Sequence, residues 1–167
     1  MRVMGIDPGS KCTGCGVIDE VNSELKVVYW GSIKTKPRQS ITERLKFIYD
    51  ELVAVIKEFN PDEIAVEDMF FATNVKSALK LGQTRGVAIL SAVNEGKPVA
   101  EYSPLEVKQS VVGYGRAEKQ QVQDMVTTLL RLKEKPETFD ASDALAIAIC
   151  HIHTATANLK IKTVKGT

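Results

Sequence analysis

The apolar run at residues 3–6 stops abruptly at Asp7-Pro8-Gly9, and this stop constrains the fold more than any other stretch. Val3, Met4, Gly5 and Ile6 read as a short buried strand. Pro8-Gly9 then ends it in a tight turn. Asp7 is left at the strand end, on rigid backbone but within reach of solvent, which suits a metal ligand or a phosphate-facing acid. Turn formation through local hydrogen bonds would place an aspartate there equally well.

The remaining pattern surrounds that strand with an α/β domain. Residues 14–21 and 25–33 read as two further strands joined at Asn22-Ser23, an antiparallel meander with the first. Ser40 and Glu43 form a capping box, and Ile41, Leu45, Ile48, Leu52, Val55, Ile56 and Phe59 follow at helical spacing until Asn60-Pro61. Residues 63–66 form a short strand reached through that helix, so a parallel placement is expected. Asn74 opens a second helix ending near Asn94 and Gly96, and residues 98–102 form a last strand. Ser103-Pro104-Leu105-Glu106 starts a short helix. Two more helices follow, at about 117–131 and from Thr138 onward. The expected architecture is a mixed five-stranded sheet, an antiparallel meander followed by parallel strands, flanked by helices.

At 167 residues the length fits one domain, placed at 1–157, with a basic tail at 158–167 outside it. The net charge of +1 decides nothing about a nucleic-acid partner; its distribution says more. Lys76, Lys80 and Arg85 make one locally basic stretch, and Lys108, Arg116 and Lys119 another. No run of about 18 apolar residues is present. An N-terminus without a secretory pattern and an odd count of three cysteines lead to the expectation of a reduced, cytoplasmic protein. Cys12-x-x-Cys15 with Cys150, His151 and His153 lacks the spacing of a zinc site.

Four acids stand out by position. Asp7 and Glu67 each end a strand; if those strands are neighbours, their ends lie about 4.8 Å apart. Asp140 and Asp143 share one face of the last helix's first turn. Acids are favoured there by the helix dipole alone. The rest of that helix, however, is almost wholly apolar, and residues 138–149 contain no Lys or Arg to neutralise them. Converging carboxylates require cations, and an all-oxygen donor set suits Mg²⁺ or Mn²⁺. Two such ions form a clamp for phosphodiester hydrolysis. The residues thus point to metal-dependent phosphoryl transfer without naming a substrate.

Six blocks occur in order: Gly5-Ile6-Asp7-Pro8-Gly9-Ser10, Val66-Glu67-Asp68-Met69-Phe70, Ser77 through Gly86 with its Leu81-Gly82-Gln83-Thr84-Arg85-Gly86, Val107-Lys108-Gln109-Ser110-Val111-Val112-Gly113, Ala117-Glu118-Lys119, and Asp140-Ala141-Ser142-Asp143-Ala144-Leu145-Ala146-Ile147-Ala148. Together the series resembles RuvC-type Holliday junction resolvases from Arg2 to His153. The resemblance implies an RNase H-like fold, a homodimer and Mg²⁺-dependent cutting of four-way DNA junctions, alongside a RuvA–RuvB branch-migration complex. It implies Asp7, Glu67, Asp140 and Asp143 as catalytic, metal-binding carboxylates. It also implies Lys108 and Lys119 as lysines near the scissile phosphate, and Phe70 as an aromatic stacked on a base near the crossover; of the two adjacent aromatics, Phe70 is expected outward and Phe71 inward. The helix after the Phe loop would supply much of the dimer contact, in keeping with its two-sided apolar stretch at 87–93. Lys76, Lys80, Arg85 and Arg116 are further expected DNA contacts.

Three alternatives stay open at this point. The first block also resembles the phosphate motif of the actin, Hsp70 and sugar-kinase fold, but this chain is far too short for two lobes. An RNase H-like nuclease acting on RNA and a junction-binding protein without cleavage are the others.

Overall fold

The computed structural model describes residues 1–68 and 74–165, with side chains through 158. The expected Phe70 and Phe71 positions therefore lie outside the described residues. Five strands, β1 (Arg2–Asp7), β2 (Cys12–Val21), β3 (Glu24–Lys34), β4 (Glu63–Glu67) and β5 (Val99–Tyr102), form one sheet in the order β3-β2-β1-β4-β5. β1–β2 and β2–β3 are antiparallel, whereas β1–β4 and β4–β5 are parallel. This is the mixed sheet expected from the sequence.

The helices are α1 (Ile41–Phe59), α2 (Val75–Asn94), α3 (Pro104–Val112), α4 (Lys119–Leu129) and α5 (Phe139–Lys165). Their starts follow local chemistry. Ser40 and Glu43 bond each other's backbone at α1, as Ser103 and Glu106 do at α3. Asn74 accepts from Lys76 N at α2. Asn60 closes α1 in the left-handed region at φ 44°. α4 begins two residues later than the sequence pattern suggested, because Glu118 and Gln121 form its capping box. α5 continues as helix to Lys165, through most of the stretch read as a tail.

Strand alternation divides the core into two layers. Met4, Ile6, Cys15, Val17, Ile64 and Val66 face α1 and α2 with Ile48, Leu52 and Ile56. Val3, Ile18 and Ala65 face α5, which is itself covered by Val107, Val111, Val122 and Val126 of α3 and α4. Residues 144–149 of α5 have no solvent exposure. Full burial of a side chain such as Ile147 contributes about 1.5–3 kcal/mol, so α5 is anchored along this whole stretch.

Candidate active site

β1 and β4 lie side by side with Ile6 opposite Val66. The next residue on each strand is an acid, so Asp7 and Glu67 end up as neighbours at one end of the sheet. Asp7 also pairs with Gly14 on β2. A Cβ on Gly14 would overlap the Asp140 carbonyl, and one on Gly5 would overlap that of Ala144. These two glycines let α5 settle directly on the strand backbones, which brings its first turn over Asp7.

The start of α5 is fixed from three sides. Ala141 N donates to Thr138 Oγ1 at 3.2 Å, a helix cap. Thr138 Oγ1 is 2.6 Å from Ser32 Oγ on β3. Buried Gln123 on α4 donates to Pro136 O (3.0 Å) and Ser142 Oγ (3.2 Å). The turn after Asp7 is held as well: Thr13 Oγ1, fully buried, donates to Gly9 O at 2.8 Å. Acids on the sheet and on the helix are thus carried by backbone with little freedom.

Burial and mutual repulsion shape the electrostatics at this end of the sheet. Burial, then Glu67, Asp143 and Asp140, push the Asp7 carboxyl up to about 8. Burial and Asp143 push Glu67 up to about 7. Burial also raises Asp143, against the pull of Lys119. Lys119 Nζ stands 3.1 Å from Asp143 Oδ2; burial disfavours its charge, but the attraction of Asp143, Asp7 and Asp140 outweighs this and raises its pKa. Lys108 on α3 lies close enough to stabilise the ionised forms of Glu67 and Asp143.

Among the described residues, no group of three or more His, Cys, Asp or Glu side chains is gathered tightly enough to hold an ion as it stands. The donor chemistry nevertheless fits a hard divalent cation. The side chains are oxygen donors only, and burial, followed by repulsion from neighbouring acids, raises the pKa of Asp7 and Glu67. A cation there would favour their ionised forms.

The other expected positions divide. Lys76 and Lys80 are exposed on α2, and Arg116 is exposed before α4. Lys80 lines a cleft that runs from Asp140 past Ser10, Lys11, Cys12, Arg44 and Ser77. Arg85 does not stand free: it is ion-paired with Asp68 at 3.1 Å and with Glu101. Sequence reasoning missed Lys11, exposed beside the Pro8-Gly9 turn, as well as Thr13, Gln123 and the seat formed by Gly5 and Gly14. Only the glycines carried a signal, since Gly14 and Gly16 alternate within a strand. Cys12, Cys15 and Cys150 are free thiols, and Cys15 and Cys150 are buried.

The chain is similar to known proteins over nearly its whole length. A family model described as "Crossover junction endodeoxyribonuclease RuvC" matches residues 3–151. A curated protein of that description from Alkaliphilus oremlandii is 52% identical over 97% of this chain and 100% of its own length. Among solved structures, Thermus thermophilus RuvC superposes with a TM-score of 0.86 at 35% identity, covering 95% of this chain and 97% of that one. The same protein in complex with Holliday junction substrate gives 0.88 at 36% identity, over 95% and 96%.

Proposed function

This chain belongs to the RuvC family of crossover junction endodeoxyribonucleases, and we propose that it resolves four-way DNA junctions with Asp7, Glu67, Asp140 and Asp143 as its catalytic carboxylates. The observation that supports the assignment of the site is the placement of these acids: Asp7 and Glu67 follow the paired Ile6 and Val66 on neighbouring strands, and the first turn of α5, with Asp140 and Asp143, rests on Gly14 opposite Asp7.

The four acids would hold Mg²⁺, with Mn²⁺ as a substitute. Bound there, a pair of such ions would supply the chemistry of paired-metal nucleases, making a water nucleophilic toward the phosphodiester and offsetting charge on the departing 3′ oxygen. Asp7 and Glu67, at the sheet end, present fixed oxygens on one side; Asp140 and Asp143 present theirs from the helix. Lys119 and Lys108 attract the scissile phosphate toward this charge cluster. The P–O3′ bond breaks, leaving a 5′-phosphate and a 3′-hydroxyl. Lys76, Lys80 and Arg116 contact the DNA backbone, and Phe70 stacks on a base, an interaction of about 1–3 kcal/mol.

The active form is a homodimer. Val75, Leu79, Leu90 and Val93 are exposed along α2 at 76%, 64%, 52% and 57%. Gly82 and Gly86 on the same helix have open space where a side chain would be. An apolar stripe with small residues at its centre suits a second copy of the same helix. Two-fold symmetry then presents two identical sites to a pseudo-symmetric junction, giving paired nicks. The protein works in the cytoplasm alongside a RuvA–RuvB branch-migration complex. Among the described residues no helix is long and apolar enough to cross a membrane.

The test is cleavage of a mobile four-way junction against linear duplex and RNA–DNA hybrid, with Mg²⁺ and with EDTA. Asp7→Asn is expected to bind the junction and fail to cut it. Normal cutting by that variant would overturn the metal-site assignment. Equal cutting of linear duplex would overturn junction selectivity.

A further inference from the structure

Arg85 sits in the middle of α2, only 27% exposed, with its guanidinium turned toward the sheet. Nη2 lies 3.1 Å from Asp68 Oδ1 and also pairs with Glu101. Nε is buried with no hydrogen-bond partner among the described residues, so the two carboxylates are what orient the group. Asp68 directly follows Glu67, and its N–H donates to Tyr102 O at 2.7 Å. Glu101 lies on β5 opposite Val66. One side chain therefore fastens α2, the end of β4 and the edge strand β5, right next to a proposed metal-binding acid.

The charge balance argues against a DNA contact. Two carboxylates on one guanidinium leave the trio net negative, so it offers no attraction to a phosphate. A phosphate could engage Arg85 only by displacing Asp68 or Glu101, leaving that acid unpaired beside Glu67. The sequence offers Arg85 as one more basic residue of a basic stretch, but its surroundings assign it elsewhere.

We propose that Arg85 is a positioning residue: by clasping Asp68 and Glu101 it fixes the end of β4 so that Glu67 faces the other three acids, and it holds the Asp68 charge away from them. The inference rests on the reading of Glu67 as a site residue. Arg85 is also flanked by Gly82, Gln83 and Gly86 on the helix whose outer face carries the apolar stripe, so the clasp ties that face to Glu67. A small shift of α2 would thus be felt at the site.

Three measurements on Arg85→Gln, Arg85→Lys and Asp68→Asn test this. They are junction affinity in EDTA over a range of NaCl, Mn²⁺ binding to the DNA-free protein by calorimetry, and single-turnover cleavage. Arg85→Gln is expected to keep junction affinity and its salt slope, bind Mn²⁺ more weakly, and cut about ten- to a hundredfold more slowly, the scale of a small misplacement of reacting groups. Arg85→Lys should restore part of the loss. Asp68→Asn opens the clasp from its other side, so it should move Mn²⁺ binding and cleavage in the same direction, and the double variant should be little worse than either single one. If Arg85→Gln instead loses junction affinity with a salt slope reduced by about one, while Asp68→Asn cuts normally, Arg85 is a DNA contact and the proposal fails. Unchanged Mn²⁺ binding and cleavage in both variants would also end it. Should Arg85→Gln fail to fold, the half-exposed Asp68→Asn decides alone. Full cleavage by Glu67→Gln would instead strike at the site reading itself, independently of Arg85.

Discussion

Lys119 Nζ lies 3.1 Å from Asp143 Oδ2, at the edge of four carboxylates that otherwise repel one another. The pair joins the start of α4 to the start of α5. In the absence of bound cations Lys119 supplies part of the missing positive charge. With a junction in place the same ammonium can turn to the phosphate, since its side chain is 64% exposed.

Replacing that lysine should therefore hurt turnover more than folding. Lys119→Met is expected to slow single-turnover cleavage by about a hundredfold, the scale of losing one charged donor at a reacting oxyanion. Lys119→Arg should recover part of it. The midpoint of thermal unfolding should move little, because exposed ion pairs contribute about 1 kcal/mol or less.

The raised carboxyls give the metal-free protein an unusual dependence on pH. Asp7 and Glu67 titrate at about 8 and about 7 in the fold, well above an unfolded chain. The folded state thus holds protons that the unfolded chain gives up, and stability falls as pH rises from the ordinary carboxylate range toward 8. In EDTA, the unfolding midpoint should decline between pH 5 and pH 8. Asp7→Asn should flatten that decline and be the more stable protein at pH 8. Added Mn²⁺ should lift the wild type most at the alkaline end. A flat midpoint in EDTA for the wild type would show that the acids do not share one buried space.

The glycine seat under α5 makes a separate prediction. Gly14→Ala puts a methyl group against the Asp140 carbonyl, where only backbone could give way. A loss of about 1–3 kcal/mol is expected from denaturant unfolding, together with a loss of cleavage, because the helix that must shift carries two of the acids. Gly82→Ala meets open space, and the fold should accept it.

The outer stripe of α2 predicts the assembly state. Leu79→Glu and Leu90→Glu each place a charge on a surface that is more than half exposed in the single chain. Each should leave the secondary structure intact and halve the mass found by analytical ultracentrifugation. A mass unchanged by both variants would move the dimer contact away from α2.

Much of the framework can be read from the chain because it depends on neighbours in sequence. Capping at Ser40, Asn74 and Ser103, the left-handed stop at Asn60, and the turn at Asn22-Ser23 are local events, and all are present. Asp7 and Glu67 could be placed at strand ends for the same reason, and Asp140 and Asp143 on one helical face. Asp68 and Arg85 are different: they lie seventeen positions apart in the chain, and only the return of α2 across β4 and β5 shows that the arginine is already engaged. Thr13 and Gln123 are similar. Their roles depend on which buried carbonyl or hydroxyl comes within 3 Å or so, and no spacing rule carries that information. The later start of α4 shows a limit of another kind, since either Glu118 or a residue before it could have opened the helix on pattern alone.

The seating of α5 on Gly5 and Gly14 has a consequence for how this enzyme would fail. Two acids ride on the sheet and two on the helix, so the gap between layers sets the aperture of the site, as the jaws of a caliper set its reading. Any stress that widens the gap by a fraction of an ångström opens the jaws while the core remains intact. Inactivation by heat or denaturant should accordingly precede unfolding, and activity then reports the spacing of two packed layers more finely than any optical signal of the fold.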